Sequence, residues 1–245
     1  MTGRTRTALV VVDLQNDFCA GPTARARFGG DPARLDAAVA GSVRATAEAR
    51  RRGVDVVFVR FTGDPRDQGA AWRHRDLALG KRPKCLEGSW GAEFHGVTPE
   101  PGEAVFTKRA RFDAFLGEGF EDHLHARGIG HLVLAGLYAD VCVDSTARTA
   151  FQKGFHVTVL TDCTTALHLP NDTVLHFMRT VYGARTAPAD DPAVWTAPPS
   201  GGPPLDGPPR EENGDVSGDP RGTTSRATSA AVPAGKEQPC PPVPR

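Results

Sequence analysis

The stretch of residues 131–155 constrains the fold of this 245-residue chain more than any other. It opens with an apolar run, residues 132–135, which lacks polar alternation and is typical of a strand buried on both faces. After Cys142 the apolar residues recur at helical spacing, and Gly154 is placed to end that helix. The sequence therefore predicts that a buried strand turns into a helix at Cys142, at the carboxyl edge of a sheet.

Two interpretations of Cys142 are open from this stretch alone. A free cysteine is most often a small, buried, apolar residue. A cysteine close to a helix N-terminus can instead be a nucleophile, because the partial positive charge there lowers the thiol pKa and favours thiolate. The remainder of the chain favours the second interpretation.

Six short apolar runs with helical patterns between them predict the fold class. The predicted strands are residues 8–12, 54–59, 104–107, 132–135, 157–160 and 183–186. The first helix between them has a predicted apolar face formed by Leu35, Val39, Val43 and Ala47. Strand, helix and strand at this spacing form right-handed crossovers. We therefore expect an α/β fold, a three-layer α/β/α sandwich around a mainly parallel six-stranded sheet.

Composition limits the function classes. Lysine plus arginine and aspartate plus glutamate each total 29, so no net charge attracts nucleic acid or an anionic membrane. The apolar run near the N-terminus is too short for a signal peptide or a membrane span. Five cysteines without close pairing argue against a disulfide framework and for a reducing compartment, and their spacing does not suggest zinc. A cytoplasmic protein is expected.

The composition changes after Trp195, where proline and glycine become frequent and large aliphatic residues scarce. Such a segment has too little apolar surface to form a packed core. We expect one domain over residues 1–195 and a disordered tail over residues 196–245.

Three chemically active side chains lie at predicted strand ends. Asp13 follows the first strand, Lys108 the third and Cys142 the fourth. Ligands of open α/β sheets bind at the carboxyl ends of the strands. Taken singly, Asp13 fits a turn residue and Lys108 a surface lysine, but together carboxylate, ammonium and thiol are the parts of a nucleophilic site.

The long connection of residues 60–102 has no strong periodicity, and a connection of this length usually covers a site. Trp90 and Phe94 either line a pocket or pack on the core. His74 and His95 are isolated, and no Asp-x-His pair occurs, so no metal site is expected here.

Four motifs, ALVVVDLQNDF, WGAEFH, FTKRARFDAF and AGLYADVCVDSTARTAFQKGFHVTVLTDCTTALH, occur in this order over roughly residues 7–187. They resemble the isochorismatase-like cysteine hydrolase superfamily, which includes nicotinamidases, N-carbamoylsarcosine and ureidoacrylate amidohydrolases, and isochorismatases. The resemblance implies a Rossmann-like isochorismatase-like fold, a small-molecule substrate, no cofactor, and a homo-oligomer, either dimer or tetramer.

The same resemblance implies roles for individual residues. Asp13, Lys108 and Cys142 match the catalytic triad of the superfamily. The backbone N–H groups of Tyr138 and Cys142 match its oxyanion hole, and the bond that precedes Tyr138 matches a cis peptide. Phe18, Trp90 and Tyr138 match substrate-binding positions.

This chain differs from nicotinamidases at one motif and from many isochorismatases at another, and these two differences indicate which activity to expect. Nicotinamidases carry an Asp-x-His metal motif where this chain has residues 60–64, so we expect a metal-independent enzyme. Isochorismatases share the Gly-x-Tyr-Ala motif but often lack the cysteine, which this chain keeps at position 142. We therefore expect cleavage of a C–N bond, in an amide, ureido or lactam-like substrate, through a thioester. The alternatives are hydrolysis of a small enol ether, and a catalytically silent member that binds a partner.

Overall fold

We analysed a computed structural model that describes residues 5–28 and 31–198. The described residues form one six-stranded, all-parallel sheet with strand order β3-β2-β1-β4-β5-β6. The strands are β1 (Arg6–Val12), β2 (Asp55–Thr62), β3 (Ala104–Arg109), β4 (Ile129–Leu137), β5 (His156–Thr165) and β6 (Arg185–Ala187). The helices are α1 (Asn16–Cys19), α2 (Gly21–Ala26), α3 (Ala33–Arg51), α4 (Ala70–Ala78), α5 (Phe120–Ala126), α6 (Asp144–Gln152) and α7 (Asn171–Tyr182).

Helices cover both faces of this sheet, which confirms the predicted three-layer α/β/α fold. Alternate residues of β1 belong to two separate clusters of buried side chains, as the strand period of two requires. Val10 packs with residues of α5, α6 and α7. Val11 packs with residues of α3. Burial on both faces explains why β1 is continuously apolar in sequence.

The predicted apolar face of α3 is confirmed at Leu35, Val39 and Val43, which pack in the core, but not at Ala47, which is exposed. Small buried residues, including Gly41 and Ala45, complete the buried face of the helix. A Cβ atom at Gly41 would lie 2.0 Å from the backbone oxygen of Asp162 in β5. The helix therefore packs closely against β5 through small residues, a contact that a search for large apolar residues does not find.

Gly136 lies inside β4 and not at a turn, contrary to the prediction that the strand ends at residue 135. Its φ is 108°, and a Cβ atom there would lie 2.0 Å from the backbone oxygen of Val12. Only glycine fits this close approach of β4 to β1. The register of β4 with β5 also shifts at this point, so that β4 continues to Leu137, directly before the predicted oxyanion residues.

The described part of the chain holds no helix with the length and apolar character needed to cross a bilayer. Of the predicted disordered tail, residues 199–245 lie outside the described residues. Trp195, at the end of the predicted domain, is buried and packs in the same cluster as α3.

Removal of residues 197–245 should leave activity unchanged and the thermal midpoint within about 2 °C of the full chain. The reason is composition, since the tail has too few large apolar side chains to offset the entropy of ordering it. Differential scanning calorimetry of both forms checks this. A midpoint lowered by about 5 °C or more would mean that the tail docks on the domain.

Candidate active site

Asp13 follows β1 directly, and its carboxylate is only 1% exposed. Its backbone N–H donates to the Val59 oxygen of β2 at 2.8 Å, and its φ of 52° lies in the left-handed region. Such a conformation is costly for a residue with a Cβ atom and is concentrated at functional sites. The chain therefore turns sharply at the end of β1 in a way that keeps the carboxylate at the carboxyl edge of the sheet.

Lys108 reaches Asp13 from β3, across the intervening strand β2. Its Nζ atom lies 2.6 Å from Asp13 Oδ2, and its side chain is fully buried. The ammonium also lies 5.4 Å from the centre of the Phe61 ring and donates to the Arg111 oxygen at 3.4 Å. A buried ammonium requires such partners, because desolvation of an unpaired charge costs several kcal/mol. This pair joins two of the three predicted site residues.

Cys142 lies in a single π-helical turn, Ala139–Val143, between β4 and α6. Turns of this kind interrupt regular helix geometry and are frequent at functional sites. Cys142 is 7% exposed, and its thiol lies close enough to Asp13 and Lys108 to influence the pKa values of both. The structure thus brings all three predicted residues together, although Asp13 and Lys108 are 95 residues apart in the sequence.

Electrostatics of the three groups are coupled. Burial raises the pKa of the Asp13 carboxyl above its ordinary value, although the charge and the hydrogen bond of Lys108, and to a smaller degree the nearby Cys142 thiol, oppose this. Burial alone would lower the pKa of Lys108, but attraction to Asp13 and Cys142 raises it above its ordinary value. The resting site therefore contains an ammonium–carboxylate ion pair.

The prediction that Cys142 is a resting thiolate is wrong. Burial raises the pKa of its thiol, and the charge of Asp13 raises it further, while Lys108 only partly compensates. The sequence indicates that a helix N-terminus lowers the thiol pKa, but it does not show the opposing desolvation of a thiol that is almost enclosed. Cys142 is a neutral thiol beside an ion pair.

Of the two predicted oxyanion residues, Tyr138 directly precedes the π-turn and Cys142 lies within it. The Leu137–Tyr138 peptide bond is cis, as the resemblance implies. The N–H groups of Val141 and Val143 both donate to the Tyr138 oxygen, at 3.0 and 3.2 Å, which fixes the backbone around Cys142. That the N–H groups of Tyr138 and Cys142 hold an oxyanion stays a prediction.

Aromatic rings surround one side of the triad. Phe18 lies 5.9 Å from Phe61 and 6.0 Å from Tyr138, measured between ring centres, and the Tyr138 hydroxyl donates to the Phe18 oxygen at 2.9 Å. Trp72 of α4 stacks on Phe61 at 6.0 Å. Trp90, in contrast, is 58% exposed, and its role in substrate binding stays a prediction. The sequence analysis assigned no role to Phe61 or Trp72.

Three consecutive polar residues that the sequence analysis did not assign hold the long connection after β2 over the site. The Gln15 side chain bonds to the N–H and oxygen of Phe61 and to the Ala92 oxygen, at 2.7 to 2.9 Å. Asn16 donates to the Trp90 oxygen. Asp17 accepts from the Cys85 N–H at 2.6 Å. Buried polar side chains that satisfy backbone groups in this way rigidify a loop. The signal was their position two to four residues after Asp13.

No group of three or more His, Cys, Asp or Glu side chains within residues 5–28 and 31–198 is placed to hold a metal ion. Asp64, which follows β2, and His95, which lies further along the same connection, have other partners. Asp64 accepts from the Glu87 N–H, and His95 Nδ1 bonds to Asn16 Oδ1 at 2.8 Å. The residues after β2 therefore do not fit the metal site that nicotinamidases would imply.

Fold and site together define an α/β protein with a cysteine-centred site at the carboxyl edge of a parallel sheet. Residues 7–190 match the family model described as the isochorismatase domain. The chain belongs to the isochorismatase family, which confirms the predicted superfamily, its fold, and the prediction of a hydrolase of this group.

Named relatives and solved structures agree with this assignment. The ureidoacrylate amidohydrolase RutB of Pseudomonas syringae pv. syringae is 35% identical over 179 residues, which are 64% of this chain and 70% of that protein. N-carbamoylsarcosine amidase from Thermoplasma acidophilum is 29% identical with a TM-score of 0.64, covering 76% of this chain and 98% of that one. Nicotinamidase PncA from Bacillus subtilis is 25% identical with a TM-score of 0.64, and the match covers 75% of this chain and 100% of that one.

Proposed function

We propose that this protein is a metal-independent cysteine hydrolase that cleaves a C–N bond of a small amide, ureido or lactam-like molecule through a thioester. Relatives named as a ureidoacrylate amidohydrolase and an N-carbamoylsarcosine amidase support the bond type. The proposal rests above all on one observation about Asp13. Its Oδ2 atom is held by Lys108 at 2.6 Å, while Oδ1 is buried and has no hydrogen-bond partner among the described residues. That free oxygen is the base the reaction needs.

In the first half of the reaction the Cys142 sulfur attacks the substrate carbonyl carbon. The S–C bond forms, the carbonyl electron pair moves to oxygen, and the thiol proton passes to Asp13 Oδ1. The N–H groups of Tyr138 and Cys142 stabilise the oxyanion, at about 3 kcal/mol per donor. Collapse then breaks the C–N bond, and the nitrogen leaves with the proton that Asp13 returns.

In the second half Asp13 takes a proton from water, and the water oxygen attacks the thioester carbon. The C–S bond breaks and the sulfur recovers its proton from Asp13, so that one water is consumed for each acid and amine released. Lys108 keeps its proton throughout and stabilises the carboxylate whenever Asp13 is ionised. Because the resting thiol is neutral, proton transfer to Asp13 must accompany the attack.

The test is ammonia or amine release over a panel of primary amides, N-carbamoyl amino acids and small lactams. Release from at least one class, with a thioester adduct on Cys142 seen by mass spectrometry after rapid quenching, is the expected result. Turnover of a small enol ether without release of nitrogen from any member of the panel would replace this proposal by the isochorismatase-type alternative, which the Gly-x-Tyr-Ala motif at residues 136–139 favours.

Metal chelation should not change the rate. The residues after β2 lack a set of ligands, as described above, and the proposed steps use only a thiol, a carboxylate and an ammonium. Dialysis against EDTA followed by an assay on the best substrate of the panel measures this. A large loss of rate that zinc, manganese or iron restores would contradict metal independence.

We also infer a cytoplasmic location and a homo-oligomer, either a dimer or a tetramer. The four described cysteines are all free, which supports a reducing compartment. Exposed apolar side chains on α6 and α7, including Phe151 and Val181, support an interface between copies. Fractionation of cells and light scattering test these two inferences.

A further inference from the structure

Arg27 is a charged residue near the site that the proposed reaction does not use. It follows α2, and its guanidinium lies 5.3 Å from the centre of the Tyr138 ring. One terminal nitrogen, Nη1, is buried and has no hydrogen-bond partner among the described residues. A buried guanidinium nitrogen without an acceptor is costly and requires an explanation.

Lys84 is a second cation in the same region, on the connection after β2. It is partly buried, and burial together with the nearby charge of Arg27 lowers its pKa. Asp17 lies close enough to oppose this effect, but its Oδ2 atom is occupied by the Cys85 N–H. Two like charges are thus held near each other, an arrangement that a bound anion would stabilise.

Both cations contact segments that adjoin the triad. The oxygen of Lys84 accepts from the Gly63 N–H at 3.1 Å, directly after β2, and the next residue, Cys85, lies close enough to Asp13 and Lys108 to sense their charges. Arg27 is placed over Tyr138, which lies four residues before Cys142. One cation therefore lies against an aromatic ring that precedes the cysteine turn, and the other lies next to Cys85 on the connection that covers the site.

We propose that Arg27 and Lys84 form an anion subsite that binds the carboxylate of the substrate and selects ureido acids over uncharged ureas and amides. This inference rests on the proposed function, because it places the substrate carbonyl at Cys142. A carboxylate would give Arg27 Nη1 its missing acceptor and would neutralise the repulsion with Lys84. Guanidinium groups match the planar, two-oxygen geometry of carboxylates, and such charge-assisted bonds are among the strongest in proteins.

The surroundings favour an organic acid over a larger phosphorylated anion. Phe28 and Tyr138 lie with ring centres 5.8 Å apart beside Arg27, and Phe18 completes an aromatic wall. A short apolar linker between carboxylate and carbamoyl group would pack against these rings. We therefore expect the ligand to carry one carboxylate and a short carbon chain.

The test measures binding to the Cys142→Ala protein, so that turnover is not needed. The probes are 3-ureidopropionate and n-butylurea, which has an apolar ethyl group in place of the carboxylate. By isothermal titration calorimetry the acid should bind about tenfold or more tightly than the neutral urea. This preference should disappear in Arg27→Gln, weaken in Lys84→Gln and persist in part in Arg27→Lys. The matched control is Arg25→Gln, since Arg25 is exposed and paired with Asp36.

Equal binding of the two probes, undetectable binding of both, or a preference that survives in Arg27→Gln would each overturn the subsite. Thermal midpoints of all variants show whether they remain folded, and Arg27→Lys keeps the test meaningful if Arg27→Gln does not fold. The proposed subsite and the proposed reaction can be rejected independently of each other. An Arg27-dependent preference without any nitrogen release by the wild type would retain the subsite and reject C–N hydrolysis, whereas nitrogen release with no effect of Arg27 on either probe would do the opposite.

Discussion

Replacement of Cys142 by alanine should lower kcat/KM on the order of 10⁴-fold or more while the protein stays folded. The thiol is the proposed nucleophile, and without it no thioester forms, so only substrate binding and oxyanion stabilisation remain. The side chain is small and lies in a π-turn held by the N–H groups of Val141 and Val143, neither of which involves the sulfur. Steady-state kinetics, with circular dichroism to monitor the fold, measures the effect.

A matched control uses a buried cysteine outside the triad. Cys163 of β5 is buried like Cys142, but its sulfur contacts Asp162 and not Asp13. Cys163→Ala should retain most of the activity, whereas Cys142→Ser should be nearly as slow as Cys142→Ala because a hydroxyl is a far weaker nucleophile. Full activity of Cys142→Ala on the native substrate would rule out the thioester and favour acid–base hydrolysis by Asp13.

Replacement of Asp13 by asparagine should reduce kcat/KM by a similar factor, on the order of 10³ to 10⁴. An amide cannot accept the thiol proton, and it leaves the Lys108 ammonium buried without its ion partner. In the wild type, activity requires ionised Asp13. Because burial raises the pKa of Asp13, kcat/KM should begin to fall, as pH decreases, above the ordinary range for aspartate. A pH–rate profile records this acid limb.

Asp64→Asn is the control for this variant. Asp64 follows the neighbouring strand β2 but accepts from the Glu87 N–H, a bond that an asparagine oxygen can also accept. Its rate should stay within about twofold of the wild type. An Asp13→Asn protein that is folded and equally active would show that the carboxylate is not the base.

The sequence predicted the sheet and its layers well because strands buried on both faces leave an unmistakable pattern. Strand ends were less predictable. The prediction ended β5 at residue 160, yet β5 continues to Thr165, where Thr164 pairs with Gly136 and Thr165 with Leu137 of β4. Threonine and cysteine tolerate the strand conformation, and tertiary pairing determines whether the strand continues.

That Asp13, Lys108 and Cys142 lie together was predictable because each follows or ends a recognisable strand, and parallel strands bring their carboxyl ends to one edge. The protonation state of Cys142 was not predictable. The direction of its pKa shift depends on how completely the surrounding chain excludes water from the thiol, and the spacing of residues in the sequence does not give this. Likewise Arg27 and Trp72 come from segments without strong periodicity, and only the folded chain places them beside Tyr138 and Phe61.

The most direct test of the coupled triad is the pH dependence of Cys142 alkylation by iodoacetamide, measured at the peptide level to separate it from the other cysteines. In the wild type the thiol should titrate above the free-thiol value of about 8.5. Asp13→Asn should shift this titration to lower pH, because it removes a negative charge and leaves Lys108 beside the sulfur. Lys108→Ala should shift it to higher pH.

These opposite shifts distinguish a coupled site from a general loss of structure, which would expose Cys142 and move both variants toward the free-thiol value. Asp13→Asn should therefore give the more readily alkylated thiol and yet an inactive enzyme. Titration curves that coincide in the wild type, Asp13→Asn and Lys108→Ala would contradict the coupling of the three groups.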